Sequence, residues 1–257
     1  MTISIIGTGN VAYVLGQQLL DHGHTIHQLI GRNHQNVTDA ARHLGAVPGL
    51  LGESIIEQSE LIIIAVSDQA VASVVQSVGR IASPVVHTAG SLPMSILEPM
   101  ARDYGVLYPL QSLHKNNISN QPIPFLIDAN QSFLTDRLEQ LVCQLGGHCR
   151  HAADEDRLRY HLAAVCVNNF TNHIFDQVHR YCQSNDLDFS ILQPLIEETA
   201  FRLRSGTPAN FQTGPAVRGD QGTIQKHIAL LKDNPSLANI YIQLTASIQS
   251  APKSASL

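Results

Sequence analysis

Two groups of residues have the types and spacing that chemistry needs. The first is Gly7-Thr8-Gly9-Asn10-Val11-Ala12, which follows the apolar run at 3–6 and opens an amphipathic segment of helical period. In such a turn the first glycine lets the chain leave a strand tightly. The second lets a pyrophosphate approach the backbone, and a small third residue lets the helix pack closely on the sheet. Free amides at the helix start then hold the phosphates. The second strand, 24–30, decides which dinucleotide is held: it ends at Gly31-Arg32-Asn33 with no acidic residue. A carboxylate there would accept hydrogen bonds from ribose hydroxyls, whereas an arginine welcomes a 2'-phosphate, so Arg32 predicts NADP over NAD.

The second group is a polar stripe of His161, Asn169 and Asn172, at helical spacing in an otherwise apolar segment. Polar groups on a buried helical face need partners, which are either neighbouring backbone and a dimer contact or a substrate. With a substrate, His161 is the proton donor or acceptor, Asn169 orients the reacting molecule and Asn172 lies beside it. Arg218 and Asp220, on a glycine- and proline-rich loop, close that site, with Arg218 a partner for a carboxylate, and Ser91 approaches from the nicotinamide side. A metal is not expected: Cys143, His148, Cys149 and His151 are near one another but fit no common zinc spacing.

These residues must be carried by alternating strands and helices. Helices are predicted over 11–21 and 36–44, with a short strand near Ala46 and Val47, before the continuous apolar run Leu61-Ile62-Ile63-Ile64-Ala65-Val66 marks a strand buried on both faces. Ser67 or Asp68 caps the next helix, so Val66, Ser67 and Asp68 are placed at the carboxyl edge of the sheet beside the glycine turn. The strand 84–89 brings Ala89 and Gly90 to the same edge. Strands are predicted at 105–112, 124–128 and 148–151, with a helix over 132–145. The pattern is that of a doubly wound parallel Rossmann sheet with a possible irregularity at its far edge, occupying 1–152. From 153 to 257 helical period takes over: one long helix over 154–183, a second over 188–203, the loop 206–215, and two more at 223–232 and 236–250.

A hydrophobic content of 44% over 257 residues is ample for a buried core. The net charge of −5, with lysine only at 115, 226, 232 and 253, excludes a nucleic-acid surface. No apolar run is long enough to span a bilayer and no signal peptide is evident, so a cytoplasmic protein without membrane partners is expected. The cysteines, Cys143, Cys149, Cys166 and Cys182, read as reduced thiols.

The glycine turn, the Arg32 strand end, Ala65-Val-Ser-Asp68, His87-Thr-Ala-Gly-Ser91, Tyr108-Pro-Leu-Gln111, His161-Leu-Ala-Ala-Val165 and Thr213-Gly-Pro-Ala-Val-Arg-Gly-Asp220 together resemble a known family. Its members are NADP oxidoreductases that join a Rossmann domain to a helical C-terminal domain of unknown function, in an arrangement like that of 6-phosphogluconate dehydrogenase. They are more distantly similar to pyrroline-5-carboxylate and ketopantoate reductases. The resemblance covers nearly the whole chain and implies NADP-linked redox chemistry on a small molecule and a homodimer built through the helical domains. Two departures matter. The helix over 154–183 holds no lysine, so it lacks the catalytic lysine typical of 3-hydroxyacid dehydrogenases. The loop reads Thr-Gly-Pro-Ala-Val-Arg-Gly-Asp rather than the Ser-Pro-Gly-Gly-Thr type of pyrroline-5-carboxylate reductases.

Two functions follow as expectations. In the first, the protein moves a hydride between NADP(H) and a small carbonyl, imine or alcohol bound between its domains. In the second, it is a non-catalytic NADP-binding redox sensor or regulatory protein whose helical domain meets a partner.

Overall fold

The computed structural model describes residues 1–52, 59–116 and 121–251. The chain forms two compact units, Met1–Val165 and Cys166–Leu257.

The first unit opens with β1 (Thr2–Ile6), α1 (Asn10–Asp21), β2 (Thr25–Gly31), α2 (His34–Leu44) and β3 (Val47–Leu50). After these come β4 (Leu61–Ile64), α3 (Asp68–Val78), β5 (Val85–His87), a 3-10 turn at Met94–Leu97 and β6 (Tyr104–Pro109). It closes with β7 (Pro124–Ala129), α4 (Ser132–Gln144), β8 (His148–His151) and α5 (Asp154–Ala164). The strands form one eight-stranded sheet in the order β3-β2-β1-β4-β5-β6-β7-β8. The chain winds outward from β1 to β3, then returns and winds the other way from β4, so a crevice opens between the carboxyl ends of β1 and β4. Their register aligns those ends, Ile6 with Ile64, and the Ala65 amide donates to the Ile6 carbonyl at 2.8 Å. All four residues of β4 are buried, which is why its sequence is a continuous apolar run.

The far edge departs from a wholly parallel sheet: β7 is antiparallel to β6, and β8 follows β7 in parallel. Parallel return needs a crossover, usually a helix. The described residues of the connection 110–123 contain none, and the Leu110 amide donates to the Pro124 carbonyl at 2.8 Å. α5, which helical period assigns to the second domain, is compact with the sheet. Its first turn is tied to the chain after β5: the Asp154 carboxylate accepts from the Met94 amide at 3.0 Å and Arg157 donates to the Leu92 carbonyl.

The long helix predicted over 154–183 is interrupted. After α5 comes a π turn at Val165–Phe170, then α6 (Thr171–Ser184). Each residue that a π turn admits swings the following side chains by about 100° relative to an α-helix. Asn169 lies within this turn and Asn172 just beyond it, and both asparagines are exposed.

In the second unit α6 is followed by a 3-10 turn at Phe189–Leu192 leading into α7 (Gln193–Arg202), a 3-10 turn at Pro208–Phe211, and the short α8 (Pro215–Arg218). It ends with α9 (Gln221–Leu230) and α10 (Pro235–Ser250), the latter packed on α6, α8 and α9. Cys182, Ala216, Ile224 and Leu231 are its buried apolar residues, whereas Phe170, Ile191, Leu195 and Phe201 are more than half exposed. No helix among the described residues is long and apolar enough to cross a membrane.

Candidate functional site

A cleft of about 520 Å³ lies at the crevice beside β1 and β4. The glycine turn forms its floor through Gly7, Thr8, Gly9, Asn10 and Val11. Gly7 has φ +139°, and a Cβ there would lie 2.1 Å from the Ala65 carbonyl oxygen, so only glycine fits. Gly9 differs. Its φ of −84° is ordinary and a Cβ would meet no atom within 4 Å, so neither backbone nor packing calls for glycine. What a Cβ would occupy is cleft space, the space a pyrophosphate needs for close approach. α1 begins directly above, with no side chain capping its first turn and no acidic residue there, which leaves its amides free for phosphate oxygens. Ala12 points away from the cleft into the core formed with Ile3 and Ile5.

Across the cleft stands Arg32, exposed and without an ion pair among the described residues. Its neighbour Asn33 does not line the cleft; it caps α2, accepting from the Asn36 amide at 3.0 Å. Val66, Ser67 and Asp68 form a further wall, joined by Thr88 and Leu113. The turn, the capless helix start and the unpaired arginine together fit a dinucleotide carrying a 2'-phosphate.

Ala89 and Gly90 lie outside that lining, on the path to a second cluster at the same sheet edge. Gly90 is buried, and a Cβ on it would lie 2.7 Å from His161 Nδ1 and 2.8 Å from Tyr108 Cζ. Those two side chains meet over it, the Tyr108 hydroxyl and His161 Nδ1 being 2.9 Å apart. Burial, and next the Asp68 charge, push the Tyr108 pKa up, so its hydroxyl stays protonated. Ser91 donates from Oγ to Asp68 Oδ2. His161, Tyr108, Ser91 and Asp68 thus border one strip of the carboxyl edge, adjoining the cleft through Asp68.

Beneath this strip is a buried polar clamp. Arg157 is 1% exposed; besides Leu92 it binds Asp154 at 2.7 Å, and its Nε and Nη1 have no partner among the described residues. His87 is fully buried and accepts from the Ala89 amide at Nδ1, 3.1 Å away. Its Nε2 has no hydrogen-bond partner among the described residues. Burial, reinforced by the Arg157 charge, lowers the His87 pKa to about 4, so the ring is neutral near pH 7.

The other residues singled out in the sequence belong to the second unit. Asn169 is in the π turn and Asn172 in the first turn of α6. Arg218 ends α8 and lines a cavity of about 600 Å³ with Ala216, Gln212 and Ser247. Asp220 is engaged structurally: it caps α9, its Oδ1 accepting from the Thr223 amide at 3.0 Å and its Oδ2 from the Thr223 hydroxyl at 2.7 Å. These bonds hold its carboxyl below the usual range. The four cysteines are free thiols, and no group of three His, Cys, Asp or Glu among the described residues is arranged to hold a metal.

Sequence reasoning did not assign a role to Tyr108, Thr88 or Leu113. The signal available was position: Tyr108 lies in a predicted strand, 105–112, whose carboxyl end reaches the edge that holds the glycine turn.

Residues 1–114 match the model of a Rossmann-like domain, and residues 123–248 match a domain of unknown function, DUF2520. No curated protein matches the chain in sequence. Among solved structures, a "putative NADP oxidoreductase" from Bacteroides fragilis is 33% identical, with a TM-score of 0.90 over 97% of this chain and 98% of that one. The 1-pyrroline-5-carboxylate reductase of Streptococcus pyogenes is 16% identical, with a TM-score of 0.67 over 98% and 99% of the two chains. A reductive aminase from Aspergillus terreus, solved with NADPH and ethyl-5-oxohexanoate, is 15% identical, with a TM-score of 0.66 over 96% and 92%. The latter two share the fold. Because the two domain models adjoin and the Bacteroides protein matches from end to end, this chain belongs to the family that joins a Rossmann-like domain to a DUF2520 domain.

Proposed function

We propose that the protein is an NADP-dependent oxidoreductase acting on a small carbonyl, imine or alcohol. The observation that carries the reading is the pairing of Gly9, a glycine that only a close ligand explains, with Arg32, an unpaired cation across the same cleft. The Bacteroides fragilis relative, named for NADP, supports it. NADP(H), when bound, supplies or takes the hydride. The chain's own residues handle the accompanying proton. The Tyr108 hydroxyl, 2.9 Å from His161 Nδ1, fixes the orientation of the ring; in reduction the imidazolium passes its Nε2 proton to a substrate oxygen or nitrogen and leaves the neutral ring, and in oxidation the neutral Nε2 takes the proton. Ser91, oriented by Asp68, offers a second polar contact. The working unit we propose is a homodimer joined through the helical unit, whose large apolar side chains are otherwise left in water.

Calorimetric titration with NADPH and NADH tests the cofactor. NADPH should bind at least tenfold tighter, and Arg32→Ala should erase the difference. Preference for NADH, or an Arg32→Ala variant with unchanged NADPH affinity, would remove the reading. A screen of NADPH oxidation against keto acids and imines then tests the reaction. Tight NADPH binding with no turnover on any substrate would favour a sensor.

A further inference from the structure

Arg32 alone is a poor match for the charge of the proposed cofactor. A dinucleotide with a 2'-phosphate brings about four negative charges. The described lining of the cleft answers with one cation, Arg32, and one carboxylate, Asp68. A second cation stands beside it. The chain after β6 returns to the glycine turn, where the Lys115 amide donates to Asn10 Oδ1 at 3.3 Å. Two residues earlier, Leu113 lines the cleft and packs on the core of the sheet, so this passage is anchored at both points. Lys115 is the only lysine in the unit Met1–Val165. Its side chain is exposed and has no ion pair among the described residues.

Resting on the cofactor reading above, we infer that residues 111–116 form a strap across the dinucleotide turn and that Lys115 is its pyrophosphate-binding cation. A four-carbon stem rooted one hydrogen bond from the first residue of α1 is long enough to bring an ammonium over that helix start. There it adds a mobile point charge to the fixed amides of the turn. The division of labour is definite: Arg32 selects the 2'-phosphate, and Lys115 strengthens binding of any dinucleotide.

The test is calorimetric titration of wild type, Lys115→Gln, Lys115→Arg and Arg32→Ala with NADPH, NADH and 2'-AMP. Lys115 is exposed, so melting temperatures should not move. Lys115→Gln should weaken NADPH and NADH alike, by about tenfold, while leaving 2'-AMP unchanged, and Lys115→Arg should restore most of the loss. Arg32→Ala should lose 2'-AMP and the NADPH advantage. Unchanged dinucleotide affinity in Lys115→Gln, beside a wild type that binds NADPH, would overturn the strap and leave the cofactor reading standing. A loss confined to NADPH and 2'-AMP would place Lys115 on the 2'-phosphate and overturn the pyrophosphate assignment. A wild type that binds neither dinucleotide would overturn both readings.

Discussion

Tyr108 and His161 are 53 residues apart in the chain and meet over a glycine that has no room for a methyl group. In the proposed reaction their bond divides one task between two side chains: the phenol orients, and the imidazole exchanges the proton. Once a substrate is known, His161→Ala should lower kcat at least tenfold while NADPH affinity and melting temperature stay within error. Tyr108→Phe should lower kcat less and move the pH profile, because the ring loses the bond that orients it. Full activity in both variants, measured by NADPH oxidation, would place the proton chemistry elsewhere. His161 stood out in the sequence by its polarity in an apolar segment. Tyr108 did not, since a phenol at a strand end becomes informative only when its partner is known, and that partner is on another element.

The glycine turn was the most legible element, because each small residue has a separate physical reason, and two of those reasons can now be separated experimentally. Gly7→Ala must force a Cβ against the Ala65 carbonyl at positive φ, and should lower the melting temperature by about 10 °C or more. Gly9→Val meets no protein atom at its Cβ, so it should melt near wild type yet lose most NADPH affinity. If Gly9→Val binds NADPH normally, the pyrophosphate is held elsewhere. Strand existence was equally readable, since β4 announces itself by four consecutive buried aliphatics. Strand direction was not: β7 has the same apolar character as its neighbours, and nothing in a period of two says which way a strand runs. The π turn was hidden for a related reason. Residues 154–183 satisfy helical period on average, and one wide turn leaves that average almost intact.

At the scale of the whole molecule, the two units are provisioned unequally. The sheet is buried among fully covered aliphatics, whereas the helical unit leaves Phe170, Ile191, Leu195 and Phe201 largely in water. Burying such residues is worth about 1.5–3 kcal/mol each, which a second copy of the chain can supply. Sedimentation equilibrium should therefore give a dimer at low micromolar concentration, and Leu195→Asp with Phe201→Glu should shift it toward monomer without unfolding the sheet. A wild-type monomer at high micromolar concentration would end the proposal. The π turn at Val165–Phe170 has a consequence at the level of the gene. Deleting one codon inside it would let the backbone relax into ordinary α-helix, with every amide still bonded and helicity by circular dichroism nearly unchanged. The same deletion would leave the side chains of α6 presented as before, because the extra residue of the wide turn and its smaller rotation per residue offset each other. The turn thus absorbs one residue without altering what α6 presents, and relatives differing by a single residue there are aligned correctly only if the gap is placed within that turn.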